Sequence, residues 1–235
     1  MANKALVITG ASRGIGAATA ALFRDQGYRV INLSRREPGI EGISHITADL
    51  KQLDWPASVS ATLTEQLAGI NCISVIHNAG LLLKDSVESV SAEDLHAAMQ
   101  VNVIAPAQLN QLLFPLMGAG SSITYVGSTL SEKAVAGSCS YVTSKHAVIG
   151  LMRASCQDLA GKQIHTSCVC PGFTETEMLN DHVGGSQEIL DSIASGVTFN
   201  RLITPMEIAK TLLFSAENPV VNGSVMHANL GQIEH

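Results

Sequence analysis

Tyr141 and Lys145 stand four residues apart in the run Ser140-Tyr141-Val142-Thr143-Ser144-Lys145. On a helix that spacing puts both side chains on one face, so a phenol and an ammonium can reach the same small volume. A free phenol ionises near pH 10, too high for proton transfer at neutrality. An ammonium roughly 5 Å away favours the phenolate by about 3 kcal/mol at an effective dielectric of about 20. That moves a phenol toward the working range of a general acid/base. Tyrosine and lysine also pair on helices for purely structural reasons. The pair therefore gains meaning only from what the rest of the chain sets beside it.

The first such element opens the chain. Lys4-Ala5-Leu6-Val7-Ile8-Thr9 is a short apolar, β-branched run that reads as a buried parallel strand. It breaks at Gly10, and an alanine-rich helical pattern follows from about Ile15 to Gln26, with Gly27 as a C-terminal stop. A strand, a glycine turn and a helix N-terminus make an anion site, because unpaired N–H groups and the positive end of the helix dipole face the turn. Gly10 would permit the tight turn, Gly14 the close approach of a pyrophosphate, and Gly16 close helix–strand packing. The spacing is G-x-x-x-G-x-G, which departs from G-x-G-x-x-G and lacks the P-loop lysine. A tight βα turn without a ligand would need the same glycines.

The next strand, Tyr28–Leu33, ends where a dinucleotide fold places an acid on the adenosine ribose when the cofactor is NAD. Here Ser34-Arg35-Arg36 follows, with no acid before Glu37. A carboxylate would repel a 2′-phosphate, whereas guanidinium groups and a hydroxyl would bind it. Two charge-assisted hydrogen bonds at about 1.5–3 kcal/mol each would favour NADP over NAD by well over about tenfold. Arg13 could reach the same phosphate. Read without a ligand, Arg35 and Arg36 are solvated loop charges.

Thr9-Gly10-x-x-x-Gly14-x-Gly16, Asn78-Ala79-Gly80, Asn102, Ser128, Tyr141-x-x-x-Lys145 and Pro171-Gly172 fall in one order along the chain, with Ser128 thirteen residues before Tyr141. In order and spacing they resemble the short-chain dehydrogenase/reductase family over essentially the whole chain, and most of all its NADP-dependent 3-oxoacyl reductase and carbonyl reductase type. The resemblance implies that Tyr141 exchanges a proton with a carbonyl or alcohol oxygen. Lys145 would lower the cost of the phenolate and hold the nicotinamide ribose. Ser128 would hold the substrate oxygen, and Asn102 a water that extends the proton path. It implies cofactor contacts from Ser12, Arg13 and Ile15 among the glycines of the turn, and from Ser34, Arg35 and Arg36. Asp49 and Leu50 would sit at the adenine edge, Asn78, Ala79 and Gly80 on the adenosine side. Pro171 and Gly172 would pass beside the nicotinamide, with Thr174 and Thr176 close by.

Three features depart from the family pattern. His77 stands where asparagine is more usual, and a structural histidine is the reading adopted. Asn229-Leu230-Gly231-Gln232 replaces the usual aspartate-glycine-glycine, which bears on C-terminal packing. Between Leu33 and Ile43 there is little room for a crossover helix, and Pro38, Gly39 and Gly42 oppose one, so a loop is expected.

With 235 residues, 46% apolar composition and no composition break, one α/β domain is expected: a Rossmann-like, doubly wound parallel sheet with helices on both faces. The net charge of −6 gives no basic footprint for nucleic acid. The chain enters its first strand almost at once, so no secretory leader is expected. Five cysteines without a C-x-x-C spacing point to a reducing, cytoplasmic setting. Cys168 and Cys170 share one face of a predicted strand and read as buried thiols, and the scattered histidines suggest no metal site. From Glu177 to Phe199, Met178, Leu179, Ile189, Leu190 and Phe199 flank Gly184-Gly185, which reads as a substrate lid over residues 177–200.

From Ala97 to Ser131 there is no Asp, Glu, Lys or Arg. Pro106, Pro115 and several amides argue against a membrane span. Residues 97–117 read as a helix whose outer face lacks charge, which fits burial against another subunit in a homodimer or homotetramer, or burial within one chain. The whole reads as an NAD(P)-dependent oxidoreductase, NADP preferred, acting on a small carbonyl or alcohol substrate. The rival is a non-catalytic dinucleotide-binding sensor on the same scaffold. A sugar-nucleotide epimerase of the extended relatives would need more chain than this one has.

Overall fold

The computed structural model describes residues 4–233. Its strands are β1 (Lys4–Thr9), β2 (Arg29–Ser34), β3 (Ser44–Thr47), β4 (Cys72–His77), β5 (Ser122–Val126), β6 (His165–Pro171) and β7 (Ser224–Ala228). They form one parallel sheet in the order β3-β2-β1-β4-β5-β6-β7. The order reverses between β1 and β4, and ligands of open α/β sheets bind at the carboxyl ends of the strands at such a point.

Side chains alternate across a strand, so each central strand feeds two cores. Ala5, Val7, Ile73, Val75, Ile123, Tyr125, Cys168 and Cys170 face one side. There they meet helices α2 (Trp55–Gln66), α4 (Ala105–Leu113) and α5 (Cys139–Asp158). Leu6, Ile8, Ile76, Val126 and Val169 face the other side, against α1 (Gly14–Asp25) and the last long helix, Pro205–Glu217. The expected doubly wound sheet is thus present. Ser34 to Ser44 carries no helix, as Pro38, Gly39 and Gly42 require. No helix among the described residues is long and apolar enough to cross a membrane.

The uncharged stretch departs from the single helix expected over 97–117. Helix α3 (Ala92–Met99) begins earlier, capped by Ser91, which accepts from the Asp94 N–H. A widened π turn over Gln100–Ile104 follows, in which the Ala105 N–H reaches back to the Gln100 carbonyl. Pro106 explains the break. It has no N–H for the Asn102 carbonyl four residues back, and its ring crowds that carbonyl. Leu109 and Leu113 are both 0% exposed in the sheet-facing core, so neither lies on the outer face first expected of this helix. The uncharged outer surface there is made instead by residues such as Ile104, Ala107 and Gln111.

His77 ends β4 inside the larger core. Its Nε2 donates to Asn110 Oδ1 at 2.9 Å, Asn110 Nδ2 donates to the Tyr125 hydroxyl, and the imidazole lies 4.9 Å from the Tyr125 ring. Burial pushes its ionisation down to about 4 from 6.5, against the pull of Asn110. Between those values the unfolded chain binds a proton that the folded chain refuses. Stability conferred by neutral His77 is therefore present above about pH 6.5 and is lost as pH falls toward 4. From pH 7 to pH 5 this group alone should remove about 2 kcal/mol. Urea unfolding at the two pH values measures it. In His77→Gln, which has no imidazole to protonate, the fall should shrink by that amount, and an unchanged fall would assign the acid sensitivity elsewhere.

Candidate active site

Gly10 and Gly14 have φ of +73° and +56°, a region that side chains with a Cβ rarely occupy. Space is tight as well. A Cβ on Gly10 would lie 3.0 Å from Ala79 Cα, and one on Gly14 would lie 3.1 Å from Thr176 Cγ2. A Cβ on Gly16 would lie 2.3 Å from the Gly10 carbonyl oxygen and 2.5 Å from Asn78 Nδ2. Asn78 fixes the turn by donating from Nδ2 to the Thr9 and Gly10 carbonyls. Thr9 Oγ1 accepts in return from the Asn78 and Ala79 N–H groups. Helix α1 starts here with no side-chain cap and no acid in its first turn. The cradle is thus bare backbone at a positive helix end, which fits a pyrophosphate.

At the far end of the cleft Ser34 is buried, while Arg35 and Arg36 are exposed. The Ser34 hydroxyl donates to the Arg36 carbonyl at 2.6 Å, which curls the arginine loop. Asn32, absent from the residues singled out by sequence, organises this region. Its Oδ1 accepts from the Ala11 N–H, and its Nδ2 donates to Ser34 Oγ. One buried amide so ties the glycine turn to the arginine loop. Its only sequence signal is a polar residue inside an otherwise apolar strand. Asp49 accepts from the Lys51 N–H beside Leu50 on the same wall.

Tyr141 and Lys145 lie in the first turns of α5 and face the same cleft as the glycine turn. Lys145 is 4% exposed, and its Nζ lies 5.5 Å from the centre of the Tyr141 ring. That ammonium donates to the Val126 carbonyl at 2.7 Å, at the end of β5. Ser128 follows two residues later. Its Oγ accepts from the Leu130 N–H, which leaves the hydroxyl hydrogen for another acceptor. Asn102 stands one layer behind. Its Oδ1 accepts from the Leu81 N–H, and its Nδ2 donates to the Leu81 carbonyl and to Ser144 Oγ. Its side chain is committed to protein partners rather than to the cleft.

Beneath Ser128, Cys168 and Cys170 are buried with their sulfurs 3.8 Å apart. A Cβ on Gly127 would lie 2.8 Å from each sulfur, so glycine lets β5 pass over them. The Cys168 thiol donating to Cys170 raises its own ionisation and lowers that of Cys170.

The cleft has a volume of about 410 Å³. Every residue expected to touch the cofactor or the reacting atoms lines it except Asn102. Pro171 ends β6 there and Gly172 follows it. A Cβ on Gly172 would lie 2.9 Å from Asn229, so the unusual C-terminal asparagine packs against this turn. Thr174 Oγ1 donates to the Gly172 carbonyl, and Thr176 caps helix α6 (Glu177–Val183) by accepting from the Leu179 N–H. Arg13 reaches across to Asp181 of α6 at 3.7 Å, an exposed pair worth little by itself. Of the apolar residues assigned to a lid, Met178 and Leu179 line the cleft. Ile189, Leu190 and Phe199 do not, and Phe173, Leu82, Leu130 and Val135 supply apolar wall instead.

The sequence pattern of a family described as enoyl-(acyl carrier protein) reductase matches residues 10–232. An uncharacterised oxidoreductase of Thermotoga maritima is 30% identical over 243 residues, covering 97% of each chain. The 3-oxoacyl-(acyl-carrier-protein) reductase FabG of Vibrio cholerae is 29% identical over 244 residues, again covering 97% of each. Among solved structures, ligand-free aldohexose dehydrogenase of Thermoplasma acidophilum matches with a TM-score of 0.88 at 27% identity, over 97% of this chain and 93% of that one.

Proposed function

The chain belongs to the short-chain dehydrogenase/reductase family and is an NAD(P)-dependent oxidoreductase, and we propose that it interconverts a carbonyl and an alcohol with NADP preferred and Tyr141 as proton donor and acceptor. What supports this reading is that the bare glycine cradle and the side chains of Ser128, Tyr141 and Lys145 share one cleft. The Gly10–Gly16 turn would hold the pyrophosphate, Ser34 to Arg36 the adenosine phosphate, and Pro171 to Thr176 the nicotinamide end. Bound there, the cofactor supplies or accepts the hydride. Ser128 would hold the substrate oxygen with its unused hydroxyl hydrogen. Tyr141 would give that oxygen a proton in reduction and take one in oxidation. Lys145 would keep a positive charge beside the phenol, its position fixed by the Val126 carbonyl. Consumption of NADPH with a panel of ketones and aldehydes tests the reading, and a panel turned over with neither NADPH nor NADH would overturn it.

Cofactor preference would rest on Arg35 and Arg36, the two exposed guanidinium groups on the loop that Ser34 curls. Replacing both by neutral residues should raise the dissociation constant for NADPH at least about tenfold, since each charge-assisted bond contributes roughly 1.5–3 kcal/mol. That for NADH should change much less. Fluorescence titration with both nucleotides decides it, and equal weakening would place the arginines outside the 2′-phosphate site.

The proposal includes one domain with residues 177–200 as a lid, and a homodimer or homotetramer. The uncharged outer residues of α4, Ala107 and Gln111 among them, support assembly, because the buried centre of a subunit contact is depleted in charge. Sedimentation as a monomer at micromolar concentration would refute the assembly.

A further inference from the structure

Helix α5 carries the proton-transfer residues, yet Ser138 at its N-cap makes no side-chain capping bond and its first turn holds no acid. The cap comes from another segment. The Asp85 carboxylate accepts from the Ser140 N–H at 3.0 Å through Oδ1, and from the Ser140 hydroxyl through Oδ2. The Asp85 carbonyl accepts from the Cys139 N–H, and its own N–H donates to the Gly137 carbonyl. Asp85 is 7% exposed, and Ser140 is fully buried. One turn further along, Asn102 joins Ser144 to Leu81. Ser140 and Ser144 thus tie α5 to the segment 81–85, which continues directly from the Asn78-Ala79-Gly80 wall of the cleft. The residue after each tied serine is Tyr141 or Lys145.

Two ties at i and i+4 fix the rotation of a helix about its axis as well as its position. Residues one step on are then aimed by about 100° of rotation from those ties. A carboxylate at a helix N-terminus is also favoured by the helix dipole. We propose that Asp85 is a positioning residue: by capping the first turn of α5 through Ser140 it holds the Tyr141 phenol at its distance from Ser128 and from the Lys145 ammonium, which the Val126 carbonyl anchors separately. This rests on Tyr141 being the proton donor.

The test uses the enzyme without substrate. The chain has three tyrosines. Burial and the Glu217 hydrogen bond push Tyr28 up, and burial pushes Tyr125 up. The ultraviolet phenolate band that is present in the enzyme and missing from Tyr141→Phe isolates Tyr141 on alkaline titration. Asp85→Asn keeps the shape and can keep both bonds, with the Ser140 hydroxyl accepting from the amide, so it removes charge alone. Asp85→Ala removes charge and cap together. Loss of position predicts a midpoint at least about half a pH unit higher in Asp85→Ala than in Asp85→Asn, as the phenol leaves the ammonium. NADPH affinity, checked in both, should stay within a few-fold. Ser140→Ala, which deletes only the hydroxyl tie, should move the midpoint the same way by less, and carries the comparison if Asp85→Ala unfolds early. Equal midpoints in Asp85→Ala and Asp85→Asn, or an unmoved midpoint in Ser140→Ala where it stands in, would overturn the proposal. So would parallel loss of NADPH binding, which marks a general folding defect. Retained turnover in Tyr141→Phe would instead sink the functional reading on which the proposal stands.

Discussion

Tyr141→Phe should lose at least about a hundredfold in turnover, the low end for general acid/base catalysis, while binding NADPH nearly as the wild type does. The substitution deletes one oxygen and keeps the ring. The ring lies 5.5 Å from the Lys145 ammonium, whose bond to the Val126 carbonyl does not involve the phenol. Lys145 and the glycine cradle therefore stay in place, and the cofactor should find the same wall. On the proposed reading, what goes is the proton that a carbonyl oxygen would need as hydride reaches its carbon. Lys145→Ala should differ in kind. It removes a buried ammonium that would serve both the phenol and the cofactor, so turnover and NADPH affinity should fall together. Single-turnover NADPH oxidation and nucleotide titration separate the two patterns. A Tyr141→Phe enzyme that still turns over would remove the phenol from the mechanism. A wild type that binds NADPH and reduces no carbonyl would favour the sensor reading.

The parts of the site that were legible in sequence are those fixed by local rules. A β-branched run that breaks at glycine before an alanine-rich segment can do little but turn, so β1, Gly10 and α1 lie where expected. Pro38, Gly39 and Gly42 exclude a helix after β2 by the same kind of local argument. The spacing of Tyr141 and Lys145 fixes their shared face once α5 exists. Other features depend on partners far along the chain, and no periodicity encodes them. Asn32 is one polar residue in a strand until Ala11 and Ser34 close on it. Asp85 reads as a loop acid until Ser140 arrives from fifty-five positions away. Absence of charge over 97–131 reports burial but not by what. For Leu109 and Leu113 the covering surface is the chain's own sheet-facing core. The π turn was hidden because its cause, Pro106, acts on a carbonyl four residues earlier inside an otherwise helical pattern.

Gly16→Ala should be the most damaging single methyl in the cofactor site. Gly16 sits in α1 with helical backbone, so propensity alone would favour alanine by about 1 kcal/mol. Space decides the other way. The added Cβ would lie 2.3 Å from the Gly10 oxygen, 2.5 Å from Asn78 Nδ2 and 2.9 Å from Ala11 Cα. None of these can swing aside. The first and third are backbone, and Asn78 Nδ2 is held by the Thr9 and Gly10 carbonyls. Relief requires α1 to back away from the turn, which costs about 1–3 kcal/mol or more in a packed region. It also widens the cradle whose N–H groups would face the pyrophosphate. We expect a net loss of stability and at least about a tenfold rise in the NADPH dissociation constant, since one charge-assisted bond misplaced suffices for that. Gly150→Ala is the control. Gly150 is helical in α5, and an added Cβ would meet nothing within 4 Å beyond its own stretch of helix, so the same methyl should stabilise by about 0.5–1 kcal/mol. Thermal unfolding and NADPH titration on the two variants should therefore move in opposite directions or not together. A Gly16→Ala protein that melts and binds like the wild type would mean that α1 need not touch the turn for the cradle to form.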